Sequence, residues 1–537
     1  MGKRYLSYDI KGIQSFIFSI PKLKYIVGAS ALIDEFDRKT AKGFEMIEGV
    51  RHLFSGGGRG AFSCAGEVSE QQLLEGLLRA LHELGLDVRI GTGDTFAAAA
   101  HGADRLFPYI PKKMAGHPCP VSGQYPTDAS EHEVVALRRD MKDAIGIEVA
   151  GDLRTALEER GGLPEEFLDC EWSFPLDVDE ETEEGRAGGN AIGGRNRWAV
   201  VAMDGNDMGR QHREMADRKI GEEAHVAWLS RMSKDLDDAT REAFVAAVAD
   251  VVARWVRRDR TTPDGRKVPE WRSARQDGKV FLPVRPLVLG GDDALLLCHP
   301  GFAMSLARDL ARSFEELSGK KAEDAKEDGF EELWPATGGR LTISAGILYT
   351  KVSYPLHSAI TYAESLLASA KGRFRDAARK GEPAPAAVDF EHVTDGLLDT
   401  PAERRRRTLR FLDEDTGEIV SLTGRPYTFE DLDEVYAGLY REIGERSVPR
   451  SLLQSVVPGL RGGFFDRFAF RAGIEKNHPW LAGWLAEPEK GDIGFGPGWR
   501  RVIREGGPPE RETVVPDVLT ILEEQHRLTQ RRKGGER

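Results

Sequence analysis

Pro286-Leu287-Val288-Leu289-Gly290-Gly291-Asp292-Asp293-Ala294-Leu295-Leu296-Leu297-Cys298-His299-Pro300 sets two apolar runs on either side of a Gly-Gly-Asp-Asp tip. Short apolar runs flanking a Gly-Gly pair predict a strand-turn-strand unit, because glycine reaches the positive φ values of tight hairpins. Both strands read as fully buried. Two carboxylates where such strands emerge must stay hydrated or find a cation. The tip therefore reads either as a divalent-metal site or as an ordinary solvated turn, since Gly and Asp are also common turn formers.

A second acidic strand end bears on that choice. Trp198-Ala199-Val200-Val201-Ala202-Met203-Asp204-Gly205-Asn206-Asp207-Met208-Gly209-Arg210-Gln211 is a buried-strand run ending in Asp204. Mg²⁺ is usually held by one or two carboxylates with waters and phosphate oxygens, so Asp204 and one hairpin aspartate suffice if their strands are neighbours. Gly205 and Gly209 allow close backbone approach. Successive N–H groups over Gly205, Asn206, Asp207, Met208 and Gly209, opening onto a helix, suit a triphosphate, as do Gly290 and Gly291. Together the two strand ends predict a two-metal nucleotidyl-transfer site in which paired ions activate a ribose hydroxyl and stabilise the leaving pyrophosphate. Side chains alternate along a strand, so Asp292 and Asp293 are not expected to point inward together; Asp292 is favoured as the ligand, with Asp293 supporting or sharing a metal. Asn206 and Asp207 read equally as contacts behind the ligands or as helix caps.

Further along lie the strand Leu341 to Tyr349, containing Ser344-Ala345-Gly346, then Tyr354-Pro355-Leu356, and a helical run Ala359 to Lys371 with Ala363-Glu364, Leu367 and Ala370-Lys371. This ordered set resembles the second palm domain of the CRISPR-type polymerases, the large subunits of type III CRISPR effectors and their free-standing relatives. The resemblance implies a metal-dependent nucleotidyltransferase that uses ATP and two Mg²⁺ or Mn²⁺ ions to make cyclic oligoadenylate as an antiviral second messenger. It implies metal ligation and catalysis by Asp204, Asp292 and Asp293, and a phosphate-binding role for Lys371. As a plain structural residue, Lys371 would instead complement the helix dipole near the end of its helix.

The amino-terminal region repeats the plan. Tyr5-Leu6-Ser7-Tyr8-Asp9-Ile10-Lys11-Gly12 parallels the strand, Asp and Gly of 200–205, and a hairpin over His52 to Cys64 parallels the acidic one with Gly58 and Arg59 where carboxylates would stand. Such self-similarity predicts a duplicated palm, one copy lacking metal ligands. Asp9 to Phe18 resembles the first palm of the same family, which implies that Asp9, Gly12, Gln14 and Ser15 hold a second ATP opposite the catalytic one. The alternative is a scaffold in which Asp9 caps the next helix.

The expected fold class is α/β (α+β), with two ferredoxin-like palm/cyclase domains, a helical connector and a helical C-terminal domain. The expected bounds are 1–105 for the degenerate palm, 106–195 for a connector ending in an acidic and glycine-rich mobile linker (Asp177 to Arg197), 196–385 for the catalytic palm, and 386–537 for a mainly helical part. Within the catalytic palm, Glu222 to Arg258 reads as a core helix and Asp259 to Lys279 as a polar loop. Arg404 to Arg407 reads as a solvated face or an RNA contact.

Composition limits the alternatives. The 537 residues carry a formal net charge of −13, which argues against a general nucleic-acid coat. Hydrophobic content of 40% and charged content of 30% are those of a globular protein without a membrane span, and a cytoplasmic location is expected. The four cysteines form no Cys-x-x-Cys pair, so neither a disulfide framework nor a zinc ribbon is expected. None of the 12 histidines precedes Asp, so the DNA-cleaving nuclease domain of the family's large subunits is not expected. Expected partners are nucleoside triphosphates and, by resemblance, CRISPR effector subunits with guide or target RNA; the oligomeric state is not legible. Two other readings remain: a non-catalytic RNA-binding scaffold, and a cyclase making a cyclic mono- or dinucleotide.

Overall fold

The computed structural model describes residues 3–526 except 103–104, 110–116, 123–125, 128–130, 143, 162, 177, 179–181, 194–195, 219, 262–265, 338, 381–384, 394–398, 415–416, 435–449, 462–463, 486–498 and 503–509. The first unit runs β1 (Arg4–Lys11), α1 (Ile13–Phe18), α2 (Leu23–Glu35), β2 (Val50–Gly56), β3 (Arg59–Cys64), α3 (Glu67–Glu83) and β4 (Asp87–Gly93). Its antiparallel sheet has the order β2-β3-β1-β4, extended by Arg105–Phe107, the ferredoxin-like arrangement.

The second unit repeats it: β5 (Arg197–Gly205), α4 (Met208–Asp217), α5 (Glu222–Val256), β6 (Val284–Gly290), β7 (Asp293–Cys298), α6 (Ala303–Glu327), β8 (Ile343–Lys351) and α7 (Leu356–Lys380). The sheet order β6-β7-β5-β8 matches that of the first unit, and the sheet then takes in Ala387–His392 and Tyr427–Thr428, past residue 385. Alternation along β5 explains its continuous apolar run. Ala199, Val201 and Met203 face a core shared with Phe244 and Val248 of α5 and Leu306 and Leu310 of α6. Trp198, Val200 and Ala202 face a second core, built with Leu366 and Leu367 of α7 and with Ile26 and Leu32 of α2. The sheet is thus covered on both faces, and one cover comes partly from the first unit. A Cβ on Gly346 would lie 2.3 Å from the Ala363 carbonyl oxygen, so the Ser-Ala-Gly strand lets α7 pack directly on its backbone. Each fully buried leucine in this layer contributes about 1.5–3 kcal/mol.

Several segments differ from the sequence-based expectations. Residues 183–192, expected within a glycine-rich linker, form a helix capped by the Thr182 hydroxyl, with Ala187, Gly188, Ala191 and Ile192 buried. Small residues let its face lie close to the 270–274 turn, where the Asn190 amide donates to the Ser273 carbonyl at 2.9 Å. That turn belongs to the expected polar loop, yet it buries Trp271 against Phe167. The C-terminal part adds a four-stranded sheet, Arg410–Leu412, Ile419–Ser421, Glu510–Thr513 and Trp499–Val502 in spatial order, to its helices. Within the part expected to be mainly helical, residues 435–449 lie outside the described residues. No helix among the described residues is long and apolar enough to cross a membrane.

The four-arginine run is largely part of the fold. Arg405 is buried and grips Asp389, itself fully buried, through two hydrogen bonds of 2.6 and 2.8 Å. Arg404 pairs with Glu391 at 3.1 Å and Arg407 with Asp399 at 2.5 Å, while Arg406 and Arg407 stay exposed. Replacing Arg405 by methionine leaves the Asp389 charge buried without its fork, so a loss of about 3–5 kcal/mol is expected in urea unfolding. Asp389→Asn in the same chain should recover part of it.

Asp37, just past α2, is 5% exposed and accepts hydrogen bonds from the Tyr8 hydroxyl (3.1 Å) and the Gly58 N–H (2.7 Å). Burial pushes its pKa up to about 7 despite those donors. A carboxyl raised in the folded state contributes stability below its unfolded pKa and loses it as pH rises to the folded value. Wild type should therefore lose up to about 4 kcal/mol relative to Asp37→Asn between pH 4 and 7, then run parallel to it above pH 7, read by thermal melts of both chains.

Candidate metal and nucleotide site

The hairpin tip is a two-residue turn. Gly290 pairs with Asp293, leaving Gly291 and Asp292 between the strands, and Gly291 has φ +60° while Asp292 does not, the pattern of a II′ turn. Asp293 opens β7 directly opposite Asp204 at the end of β5. Asp292, in the turn, is outside the strand's alternation. One carboxylate oxygen from each of Asp204, Asp292 and Asp293 therefore meets the others within 4.8 Å. The expectation that the two hairpin aspartates diverge is overturned, because it applies only to residues within a strand.

The backbone fixes this convergence. The Gly205 N–H donates to the Asp292 carbonyl at 3.0 Å, and a Cβ on Gly205 would sit 2.8 Å from Asp292 Cβ. The Gly291 N–H donates to Asp237 Oδ1 of α5 at 3.1 Å, and the Thr240 hydroxyl donates to the Gly291 carbonyl at 2.5 Å. Neither residue stands out in the sequence, where α5 reads only as core.

Three acids so close repel one another. Burial first, then the Asp204 charge, pushes Asp292 up to about 7. Asp293 is exposed, yet the protein packed around its carboxylate and the charges of Asp292 and Asp204 raise it as well. Hard oxygen donors converging in a half-buried pocket fit a divalent cation. Lys371 supplies positive charge: its Nζ contacts Asp204 and donates to the Gly205 carbonyl at 2.9 Å. Its helix continues to Lys380, so Lys371 is not near a helix end and its reading as a dipole partner falls.

The other expected nucleotide contacts divide. Asn206 is buried; its amide donates to the Thr342 hydroxyl at 2.9 Å and accepts from Ser344 at 2.9 Å, tying β5 to β8. Asp207 takes the N-cap position of α4 with φ +63°, makes no side-chain cap and pairs with Arg210 at 2.7 Å. Met208 is half-buried, Gly209 is exposed, and Gly290 and Gly291 are half-buried. In the first unit, Gly12 is the N-cap of α1 with φ +66° and no side-chain cap, so Asp9 does not cap that helix. Ser15 is exposed, and the Gln14 amide donates to Glu364 of α7 at 3.1 Å. Glu364 and Lys371 are two helical turns apart, about 10 Å.

The equivalent strand ends in the first unit hold no acid cluster. Arg59 faces Asp9 in the register where Asp293 faces Asp204, and Asp9 pairs with Arg59 (3.3 Å) and Lys11. At Gly58, with φ +78°, an added Cβ would meet Ile13 Cδ1 at 2.2 Å. In this copy the Asp9 carboxylate is answered by the chain's own cations.

Residues 197–379 match the family model described as Cas10/Cmr2, second palm domain. Nothing among the curated proteins matches the chain. Among solved structures, a chain of a Csm1-Csm4 cassette in complex with cA4 is similar at TM-score 0.52 and 14% identity, over 98% of this chain and 70% of that one. A chain of a Csm1-Csm4 cassette in complex with pppApA aligns at TM-score 0.46 and 13% identity, over 98% and 69%. The first likeness is one of fold. In sheet order and acidic hairpin, the stretch 197–379 is similar to the second palm domain described by the Cas10/Cmr2 family model.

Proposed function

We propose that this protein is a metal-dependent nucleotidyltransferase that joins ATP into cyclic oligoadenylate in type III CRISPR or related antiviral defence. The observation that carries this reading is the convergence of Asp204, Asp292 and Asp293 at adjacent strand ends, inside the matched family's second palm. It is supported by the binding of cA4 in the solved relative of similar fold.

On this reading Asp204, Asp292 and Asp293 hold two Mg²⁺ or Mn²⁺ ions. Bound there, the ions acidify a ribose hydroxyl and offset charge on the leaving pyrophosphate. Lys371 turns from Asp204 to a phosphate oxygen. Gly205 to Gly209 and Gly290-Gly291 offer N–H groups and close backbone approach to the triphosphate. The second nucleotide lies along α7 toward α1, where Gly12, Gln14 and Ser15 face it with Asp9 behind them. Partners of the effector complex and guide or target RNA belong to this proposal, as does a cytoplasmic location.

The test is incubation of the purified protein with each labelled NTP and Mg²⁺ or Mn²⁺, with and without RNA. A metal-dependent cyclic adenylate is expected, falling more than about a hundredfold in Asp292→Ala/Asp293→Ala, since even residues behind metal ligands cost 10–100-fold. Mass spectrometry separates rings of several adenylates from a cyclic mono- or dinucleotide. No product under any condition, with tight RNA binding unaffected by the double substitution, favours the scaffold reading. Gly205→Ala pushes a methyl group onto Asp292, so it should lower activity about tenfold without changing the melting temperature by more than a few degrees.

A further inference from the structure

The acidic hairpin is connected by polar contacts to the first unit. From Gly291 the chain of contacts passes to Asp237, whose Oδ2 accepts from Arg241 Nε at 3.2 Å. Arg241 Nη2 donates to Asp34 Oδ1 at 2.6 Å, and Asp34 lies on α2 of the first unit. Arg241 is 14% exposed, Asp34 22% and Asp237 28%, so the bridge is largely shielded from solvent. Arg38 reaches the other oxygen of Asp34 at 3.7 Å, and Thr240, fully buried beside Arg241, holds the Gly291 carbonyl. Both polar backbone groups of Gly291 are therefore held by α5, and α5 is anchored to the other palm through a forked arginine. A planar guanidinium that bonds two carboxylates at once fixes their spacing in a way that lysine would not.

We infer that Asp34, Arg241, Asp237 and Thr240 are positioning residues that make the alignment of Asp292 with Asp204 depend on the docking of the first palm. The inference rests on the reading of the aspartate cluster as a metal site. It gives the degenerate palm a duty separate from any nucleotide it holds: Asp34 sits outside the cluster and touches none of its carboxylates, yet fixes the helix that holds the turn.

The experiment uses the full chain and three readouts: Mn²⁺ affinity by electron paramagnetic resonance, amide exchange of peptides covering 284–298 with 303–327 as internal control, and melting temperature. Arg241→Ala and Asp34→Asn should each weaken Mn²⁺ binding about fivefold or more, as expected for loss of one charge-assisted hydrogen bond, and speed exchange in the hairpin while the control helix is unchanged. Thr240→Val, which removes only the hydroxyl, should act in the same direction, and Thr240→Ser should restore wild-type values. Unchanged hairpin exchange and Mn²⁺ affinity in folded Asp34→Asn and Thr240→Val would overturn the inference. If the wild type bound no Mn²⁺, the metal reading would fall, while hairpin exchange in the same variants would still decide whether the bridge holds the turn.

Discussion

Three carboxylates held within reach of one cation are mutually repulsive, and the second palm is built so that this repulsion cannot push them apart. Asp204 and Asp293 are fixed opposite each other by the β5–β7 register, and Asp292 is fixed by the Gly205 N–H and the turn at Gly291. Moving any of them requires breaking sheet pairing in strands buried on both faces. The stable sheet thus maintains a cluster that electrostatics alone would disperse, and a cluster of this kind draws positive charge to itself, as Lys371 shows.

The two palms show what happens with and without that demand. Their sheets have the same order, and each hairpin tip is gripped by an aspartate from the preceding helical segment: Asp37 to the Gly58 N–H, Asp237 to the Gly291 N–H. In the first palm the acid opposite Asp9 is replaced by Arg59, and the space for a side chain at 58 is filled by Ile13. The same scaffold answers one strand-end aspartate with Arg59 and Lys11, and sets three carboxylates beside a single lysine, Lys371, at the other. Helices α2 and α5 then join the copies, so the copy without the acid cluster shapes the surroundings of the copy that carries it.

Much of this was legible in sequence because local chemistry and global fold agree there. Strand-Asp, Gly-Gly hairpin and Ser-Ala-Gly strand each point to a definite backbone element, and the first two repeat in order within the first 64 residues. Misreadings arose where tertiary context decides. Alternation misled at Asp292 because the turn is Gly291-Asp292, one residue later than the Gly290-Gly291 pair suggests, so the second strand starts only at Asp293. The Arg404–Arg407 run looked solvated until Asp389 and Glu391, on the neighbouring strand, claimed two of its members. Gly185 to Ile192 looked like linker because its glycines serve close packing rather than freedom. The C-terminal sheet pairs 419–421 with 510–512, three-residue segments about 90 positions apart, which no local pattern announces.

The central claim is that the second palm, and not the first, holds catalytic metal with nucleotide. Crystals grown with Mn²⁺ and a non-hydrolysable ATP analogue, measured at a wavelength where manganese scatters anomalously, test it directly. The account predicts anomalous density among Asp204, Asp292 and Asp293, with triphosphate oxygens beside it and Lys371 turned toward them, and none at Asp9. Manganese bound at Asp9, or an aspartate cluster without metal beside a bound nucleotide, would contradict it.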